Sequence, residues 1–323
     1  MPERKLMSAA EAVRRFVKDG DTVYAGYTSV SLGLTYEIIR QGRRRLEVVG
    51  GSVGLPGTFL MLAGCVDRVS TGYIGGALRP GAVTAMMESG ELRYEDYSNQ
   101  AIALMLMAGA LGIPFIPTRS FLGSDYLRPD YREHPGGYLG DRKWAEMESP
   151  FDGQKVVLLP ALRPDVVILP AQRADEFGNV QTWGHQGDAR WAYWAGRNVI
   201  VSVEEIVPPE VIRNDPSRTV VPGFKVAAVV HMPFGAHPTG MAGHYDSDYA
   251  FNAKAFGGGA MRDRELFRAF LDEWVYGCPD HEAYLEHYRQ VFGDDALERI
   301  RATRGPDAGN GVRYTYNPEL RFR

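Results

Sequence analysis

The sequence predicts an open, mostly parallel α/β sheet with helices on both faces, followed by a group of C-terminal helices. Three observations carry that prediction. Between Asp21 and Gly76 a short apolar strand, a loop of small residues and a helix recur in turn. That order is how a parallel sheet with right-handed crossovers is written. Val166-Val167-Ile168-Leu169 is a continuous apolar run with β-branched residues, which suits a strand buried on both faces. After about Ala250 the pattern changes to amphipathic helices that each begin with Asp. Residues 1–250 are therefore expected to form the α/β domain, and residues 251–323 a helical extension packed on it.

Taken in order, Ser8-Ala9-Ala10-Glu11 reads as a capping box before an apolar stripe at Ala12, Val13, Phe16 and Val17. Gly20 ends that helix, and residues 21–25 make the first strand. The loop Gly26-Tyr27-Thr28-Ser29-Val30-Ser31 is small and rich in hydroxyls. A helix over residues 34–41 and a strand over residues 46–49 lead to a second loop, Gly50-Gly51-Ser52-Val53-Gly54. Residues 59–64 look helical, residues 66–73 form a third strand, and Gly75-Gly76 follows. These three loops would sit beyond the carboxyl ends of the strands, where open α/β sheets bind ligands. Their glycines allow a backbone to approach a ligand and aim N–H groups at it.

Glu88-Ser89-Gly90 places a carboxylate beside small residues, but Gly90 reads as the C-cap of a helix over residues 82–89, which leaves Glu88 on a solvated last turn. Glu95, Asp96, Tyr97, Ser98, Asn99 and Gln100 form a polar cluster, with Ser98 or Asp96 as N-cap of the helix that follows. Residues 101–111 are apolar all round, so that helix should be buried. Its N-terminus, carrying Ser98, Asn99 and Gln100, reads equally as a plain cap and as a seat for a carboxylate or thioester carbonyl. Residues 121–150 lack periodicity and read as a functional loop or lid. Residues 155–159, 166–169, 198–203 and 225–230 are further strands, and Trp191, Tyr193 and Trp194 are core-packing aromatics of a helix. The strand over 166–169 ends in Gln172, Arg173, Asp175, Glu176, Gly178 and Asn179, which reads either as a surface turn with an ion pair or as the rim of a site. His237 lies in a Gly/Pro-rich loop and reads as a hydrogen-bonding surface residue, or as one that orders a ligand or a partner chain.

Composition narrows the function. A formal charge of −4 gives no basic field for nucleic acid. Two cysteines, Cys65 and Cys278, make neither a disulfide framework nor a metal cluster and fit a reducing, cytoplasmic compartment. Seven scattered histidines show no metal-binding spacing, although His231, His237 and His244 could converge. No apolar run is long enough to span a membrane, and residues 1–20 are too charged for a signal peptide. Gly50 to Gly54 lacks a dinucleotide fingerprint, and no phosphate-loop motif occurs.

Several stretches together resemble the α subunit of the glutaconate-type family I CoA-transferases. They are Asp19-Gly20-Asp21-Thr22-Val23 with the loop 26–31, Tyr97-Ser98-Asn99, the run from Leu111 to Ser120 with Gly123-Ser124-Asp125, Pro160 to Val166, Ala171 to Gln181, Val203 to Val207, and Gly235-Ala236-His237-Pro238. The resemblance covers roughly residues 5–290. It implies the NagB/RpiA/CoA-transferase type of open α/β fold, coenzyme A as substrate with no permanently bound cofactor and no metal, and a β subunit in an α2β2 assembly. It also implies that the nucleophilic glutamate belongs to the β chain, so no catalytic residue is expected here. This chain is then expected to supply one wall of the acyl pocket from Gly26, Thr28, Ser29, Ser31, Gly50, Gly51, Ser52, Gly75, Ser98, Asn99, Gln100 and Arg119. Two rival functions remain open. One is the CoA-thioester ring-opening hydrolase of steroid breakdown, kept in view by Glu95 and Asp96. The other is a non-catalytic scaffold that only completes a partner's site.

Overall fold

The computed structural model describes residues 3–28, 30–74, 81–128, 133–137, 140–256 and 259–302, with the backbone alone at 133–137 and 140–142. The first elements are α1 (Ala9–Phe16), β1 (Thr22–Tyr24), α2 (Leu32–Arg40), β2 (Leu46–Gly50), α3 (Gly54–Leu62), β3 (Val66–Thr71), α4 (Gly81–Glu88) and β4 (Arg93–Asp96). Then come α5 (Asn99–Leu111), β5 (Phe115–Thr118), the hairpin β6 (Glu133–Gly137) and β7 (Gly140–Arg142), β8 (Ala145–Glu148) and β9 (Lys155–Pro160). They are followed by β10 (Val166–Ala174), β11 (Val180–Gln181), α6 (Ala189–Ala195), β12 (Asn198–Ile206), α7 (Pro209–Asn214), β13 (Thr219–Val221) and β14 (Val226–His231). The chain finishes with α8 (Tyr249–Phe256), α9 (Arg264–Leu271) running into a π turn over Asp272–Tyr276, α10 (His281–Phe292) and α11 (Ala296–Ile300).

The main sheet is parallel across β4, β3, β2, β1, β10, β12 and β14. β10 is its axis, and both of its faces are buried. Val166 and Ile168 join the core that holds α1 to α4 and the C-terminal helices, while Val167 and Leu169 join the core that holds α5 and α6. β10 is nine residues long and pairs with the three-residue β1 only through Val166 and Val167. It therefore overhangs β1, and β11 fills the overhang by pairing antiparallel with Arg173 and Ala174.

The turn between β10 and β11 is held from within by a buried carboxylate, not by a surface ion pair. Asp175 is fully buried and accepts from the N–H groups of Phe177 and Asn179 and from the Asn179 side chain. Such a self-closing carboxylate fixes a turn without help from solvent. Gln172 is also buried, and it holds Thr182, Trp183 and Ala242 with its amide.

Several expectations change. Residues 93–96 form β4, an edge strand that polar composition concealed. Residues 155–160 belong to a separate antiparallel sheet with strand order β5-β9-β8, not to the main sheet. That sheet takes up part of the 121–150 connection, since β8 lies within it. α5 is not buried all round, because Leu111 is 57% exposed at its end. His237 is buried at 1% exposure rather than on the surface. It does not meet its fellow histidines: His244 lies beside Glu205 and Trp183, and His231 is exposed at the end of β14.

The C-terminal helices share a core with the sheet layer. Tyr36 of α2 stacks on Phe59 of α3 and meets Phe270 and Tyr284. No helix of the described residues is long and apolar enough to cross a membrane, and among them no cluster of three or more His, Cys, Asp or Glu could hold a metal ion.

Candidate functional site

The carboxyl edge of β1, β2 and β3 gathers loops that are far apart in sequence. Thr71, the last residue of β3, gives its carbonyl to Tyr97 N–H, while its hydroxyl reaches the carbonyls of Gly51 and Tyr73. α5 then begins against the end of β3. Ser98 caps it through Ala101 N–H at 3.0 Å. A side chain at Gly72 would place Cβ 2.3 Å from Asn99 N and 2.4 Å from Asn99 Oδ1. Only glycine lets the positive end of α5 come this close to the strand.

The β2 loop lies beside it. Cβ at Gly51 would sit 3.0 Å from Asp188 Oδ2 and 3.6 Å from the Asn99 carbonyl. Gly54 has φ +49°, and Cβ there would meet Tyr27 Cδ2 at 3.3 Å and the Gly26 carbonyl at 3.5 Å. Thr28 faces Gly187 across 3.6 Å, measured to a Cβ built on that glycine. Gly26, Thr28, Gly50, Gly51, Ser52, Ser98 and Asn99 are thus brought to one place, with Gln100 exposed on the first turn of α5.

The remaining predicted residues fall elsewhere. Ser31 is fully buried, caps α2 through Leu34 N–H and bonds to Ser202 Oγ at 2.8 Å, so it faces the interior and not a pocket. A capping serine and a pocket serine carry the same local signal, and only the partner at Ser202 separates them. Arg119 is exposed directly after β5 of the small sheet. Ser29 and Gly75 lie outside the described residues.

Asp188 was not legible in the sequence. It stands on the loop between β11 and α6, and its carboxylate accepts from Tyr24 O–H at 2.7 Å and from Gly51 N–H at 2.8 Å. Burial and the adjacent carboxylate push the Tyr24 phenol well above its ordinary range, so it stays a donor. The Gly51 N–H, which the glycine pattern offered to a ligand, is therefore already used. Ser52 is different. It is 7% exposed, and its Oγ has no hydrogen-bond partner among the described residues. A buried hydroxyl left unmatched costs about 1–3 kcal/mol, which a ligand oxygen would recover.

Glu95 is 1% exposed, with Lys143 Nζ 3.8 Å away. That ammonium also donates to the Asp96 carbonyl and lies over the Tyr97 ring, clamping the approach to α5. Glu88 is exposed on the last turn of α4. Glu47 is buried on β2 beneath the edge, and burial raises it to about 7 despite a 2.6 Å bond from Ser70 Oγ.

Such an edge, with small polar groups gathered at the carboxyl ends of an open parallel sheet, is where α/β proteins of this class receive ligands. The family follows from comparison. A coenzyme A transferase profile matches residues 6–232, and the chain belongs to that family. The A-type subunit of glutaconate CoA-transferase from Acidaminococcus fermentans is 35% identical over 297 residues, 87% of this chain and 91% of its own. The corresponding A-type subunit of 3-oxoadipate CoA-transferase from Pseudomonas knackmussii is 34% identical over 291 residues, 87% of this chain and 96% of its own. An uncharacterized Archaeoglobus fulgidus protein is 36% identical over 305 residues, which is 92% of this chain but 64% of that longer protein. The crystal structure of glutaconate CoA-transferase from Acidaminococcus fermentans superposes with a TM-score of 0.83 at 31% identity, covering 97% of this chain and 98% of that one. The IpdA subunit of a cholesterol ring-cleaving hydrolase from Rhodococcus jostii is 27% identical over 171 residues, half of this chain and 54% of its own.

Proposed function

We propose that this chain is the A-type subunit of a heteromeric CoA-transferase that moves CoA between an acyl-CoA thioester and a carboxylic acid. The observation that carries the reading is the chemistry of the edge. It offers hydroxyl and amide groups and a helix N-terminus, while its nearest carboxylate, Asp188, is engaged by Tyr24 and Gly51. Glu95 is buried against Lys143, and Glu88 points to solvent. These three carboxylates are engaged or turned away, and the attacking glutamate is assigned to a β-type partner.

On this reading the partner's carboxylate adds to the thioester carbonyl and expels CoA thiolate, leaving an acyl-glutamyl anhydride. The thiolate returns to the glutamyl carbonyl and releases the first carboxylate, which leaves glutamyl-CoA. The acceptor carboxylate then runs both steps in reverse. The covalent path preserves the thioester's energy that water would dissipate. The wall on this chain is assigned to Gly26, Thr28, Gly50, Gly51, Ser52, Ser98, Asn99 and Gln100. The two cysteines are free and buried, consistent with a cytoplasmic assembly.

The test is co-expression with a candidate β chain, followed by CoA exchange with and without a carboxylate acceptor and borohydride trapping during turnover. Exchange that requires acceptor, with the trapped glutamate on the partner, supports the reading. Turnover by this chain alone, or a trapped residue on it, sinks it. Release of free CoA without acceptor would instead favour the hydrolase. Against that rival, the hydrolase relative aligns over half of this chain, whereas the two transferase relatives align over 87%. A pure scaffold would keep its substrate preference when Ser52, Asn99 and Gln100 are replaced.

A further inference from the structure

Asp188 occupies the N-cap position of α6, yet its side chain makes no capping bond there. An aspartate at that position ordinarily accepts from an N–H two or three residues further on. Here both oxygens reach away from the helix, one to the Tyr24 hydroxyl on β1 and one to the Gly51 N–H after β2. Two charge-assisted bonds from one rigid carboxylate lock the turn over residues 50–52 against the end of β1. Gly51 is the residue that admits this contact, since Cβ there would lie 3.0 Å from Asp188 Oδ2. The next residue, Ser52, is buried and keeps its Oγ unmatched among the described residues.

We propose that Asp188 is a positioning residue for the acyl group: it absorbs the donors of Tyr24 and Gly51 and so holds the turn that presents Ser52 Oγ to the substrate oxygen. This rests on the reading that the edge receives an acyl-CoA. Asp188 touches no substrate itself. It sets the angle of the turn, and Ser52 makes the contact. A donor displaced by about 1 Å loses most of its effect on a reacting carbonyl.

The test uses the complex with the β chain and the variants Asp188→Ala, Asp188→Asn, Ser52→Ala and the double Asp188→Ala/Ser52→Ala. The expected result is a fall in kcat of about 10²-fold for Asp188→Ala with KM little changed. The double variant should be no worse than the poorer single, because the two residues act in series. Asp188→Asn keeps an acceptor for one of the two donors and should recover part of the loss. Glycine-labelled NMR of this chain gives a readout independent of turnover: the Gly51 amide proton should move upfield in Asp188→Ala. Losses that multiply in the double variant, a change in KM alone, or an unmoved Gly51 amide would overturn the proposal. If the wild-type complex neither transfers nor hydrolyses acyl-CoA, the functional reading fails by itself. The Gly51 amide then still decides whether Asp188 holds the turn.

Discussion

Two aspartates each receive a tyrosine hydroxyl, and their surroundings set them apart. Asp188 lies half-buried at the sheet edge with Tyr24 and Gly51. Asp248, 3% exposed, lies between the 233–248 loop and α10. It accepts from Tyr288 O–H and from Phe251 N–H, and it faces His237 Nε2 at 3.1 Å. With Nε2 donating to Asp248, His237 Nδ1 accepts from Tyr284 O–H at 2.6 Å. Burial pulls His237 below its ordinary pKa, so the ring stays neutral despite the carboxylate. Phe251 closes over the ring at 5.1 Å, and Trp274 backs Phe251 at 4.8 Å. In this second cluster each polar group named has a partner and the walls are aromatic, so it functions as a staple. In the first a serine hydroxyl is left over and the walls are glycine. The same two groups hold a fold together in one place and shape a surface in the other, depending on whether anything polar remains unspent.

The comparison can be broken from either side. The largest effect is expected from Asp248→Ala, which strips partners from His237, Tyr288 and Phe251 N–H in a sealed interior. Stability should fall by about 3–5 kcal/mol in chemical denaturation, with kcat per folded molecule unchanged. A kcat defect at undiminished stability would put Asp248 in the site. Next, Gly72→Ala drives a methyl group into Asn99. Activity should drop about 10²-fold, while unfolding shifts by only about 1–3 kcal/mol. Equal activity would separate the start of α5 from the site.

The pH dependence sharpens the contrast between the sheet and the helices. Glu47 is raised by burial to about 7, from an ordinary value near 4.5. The folded state therefore holds a proton that the unfolded state has released, and stability falls as pH rises from about 4.5 through about 7. His281, half-buried beside the Pro233 carbonyl, is lowered by desolvation to about 4 from 6.5. The unfolded state is then the one that binds protons, and stability falls as pH drops from about 6.5 towards 4. Glu47→Gln should flatten the loss between pH 5 and 7 by roughly 1–2 kcal/mol and leave the acid side intact. Urea titrations across that range measure it, and an unchanged slope would show that Glu47 is ionised. The smallest change is expected from Ser98→Ala, about 1 kcal/mol from the lost cap of α5. A loss of activity no larger than the loss of stability there would remove Ser98 from the wall.

The helix caps were readable because they are local. Ser8, Ser98, Asp263 and Asp280 each accept an N–H two or three residues away, a spacing visible in any sequence. The axial strand was readable because an apolar run of β-branched residues has few other uses. The positive φ of Gly26, Gly54 and Gly90 likewise follows from single residues at turns and helix ends. Asp188 was not readable, since it meets Gly51 across 137 positions and Tyr24 across 164, and nothing local distinguishes it from an ordinary N-cap. β4, the small sheet and the burial of His237 were hidden for the same reason. Each depends on which distant strand or ring arrives beside it. The amino-acid order by itself determined the layers, the caps and the family. Folding alone decided which hydroxyls were consumed in the interior, as at Ser31, and which were left over among the described residues, as at Ser52 and Tyr36. A hydrogen bond is spent only when its partner is brought within 3 Å or so, and that distance exists only after the chain has closed.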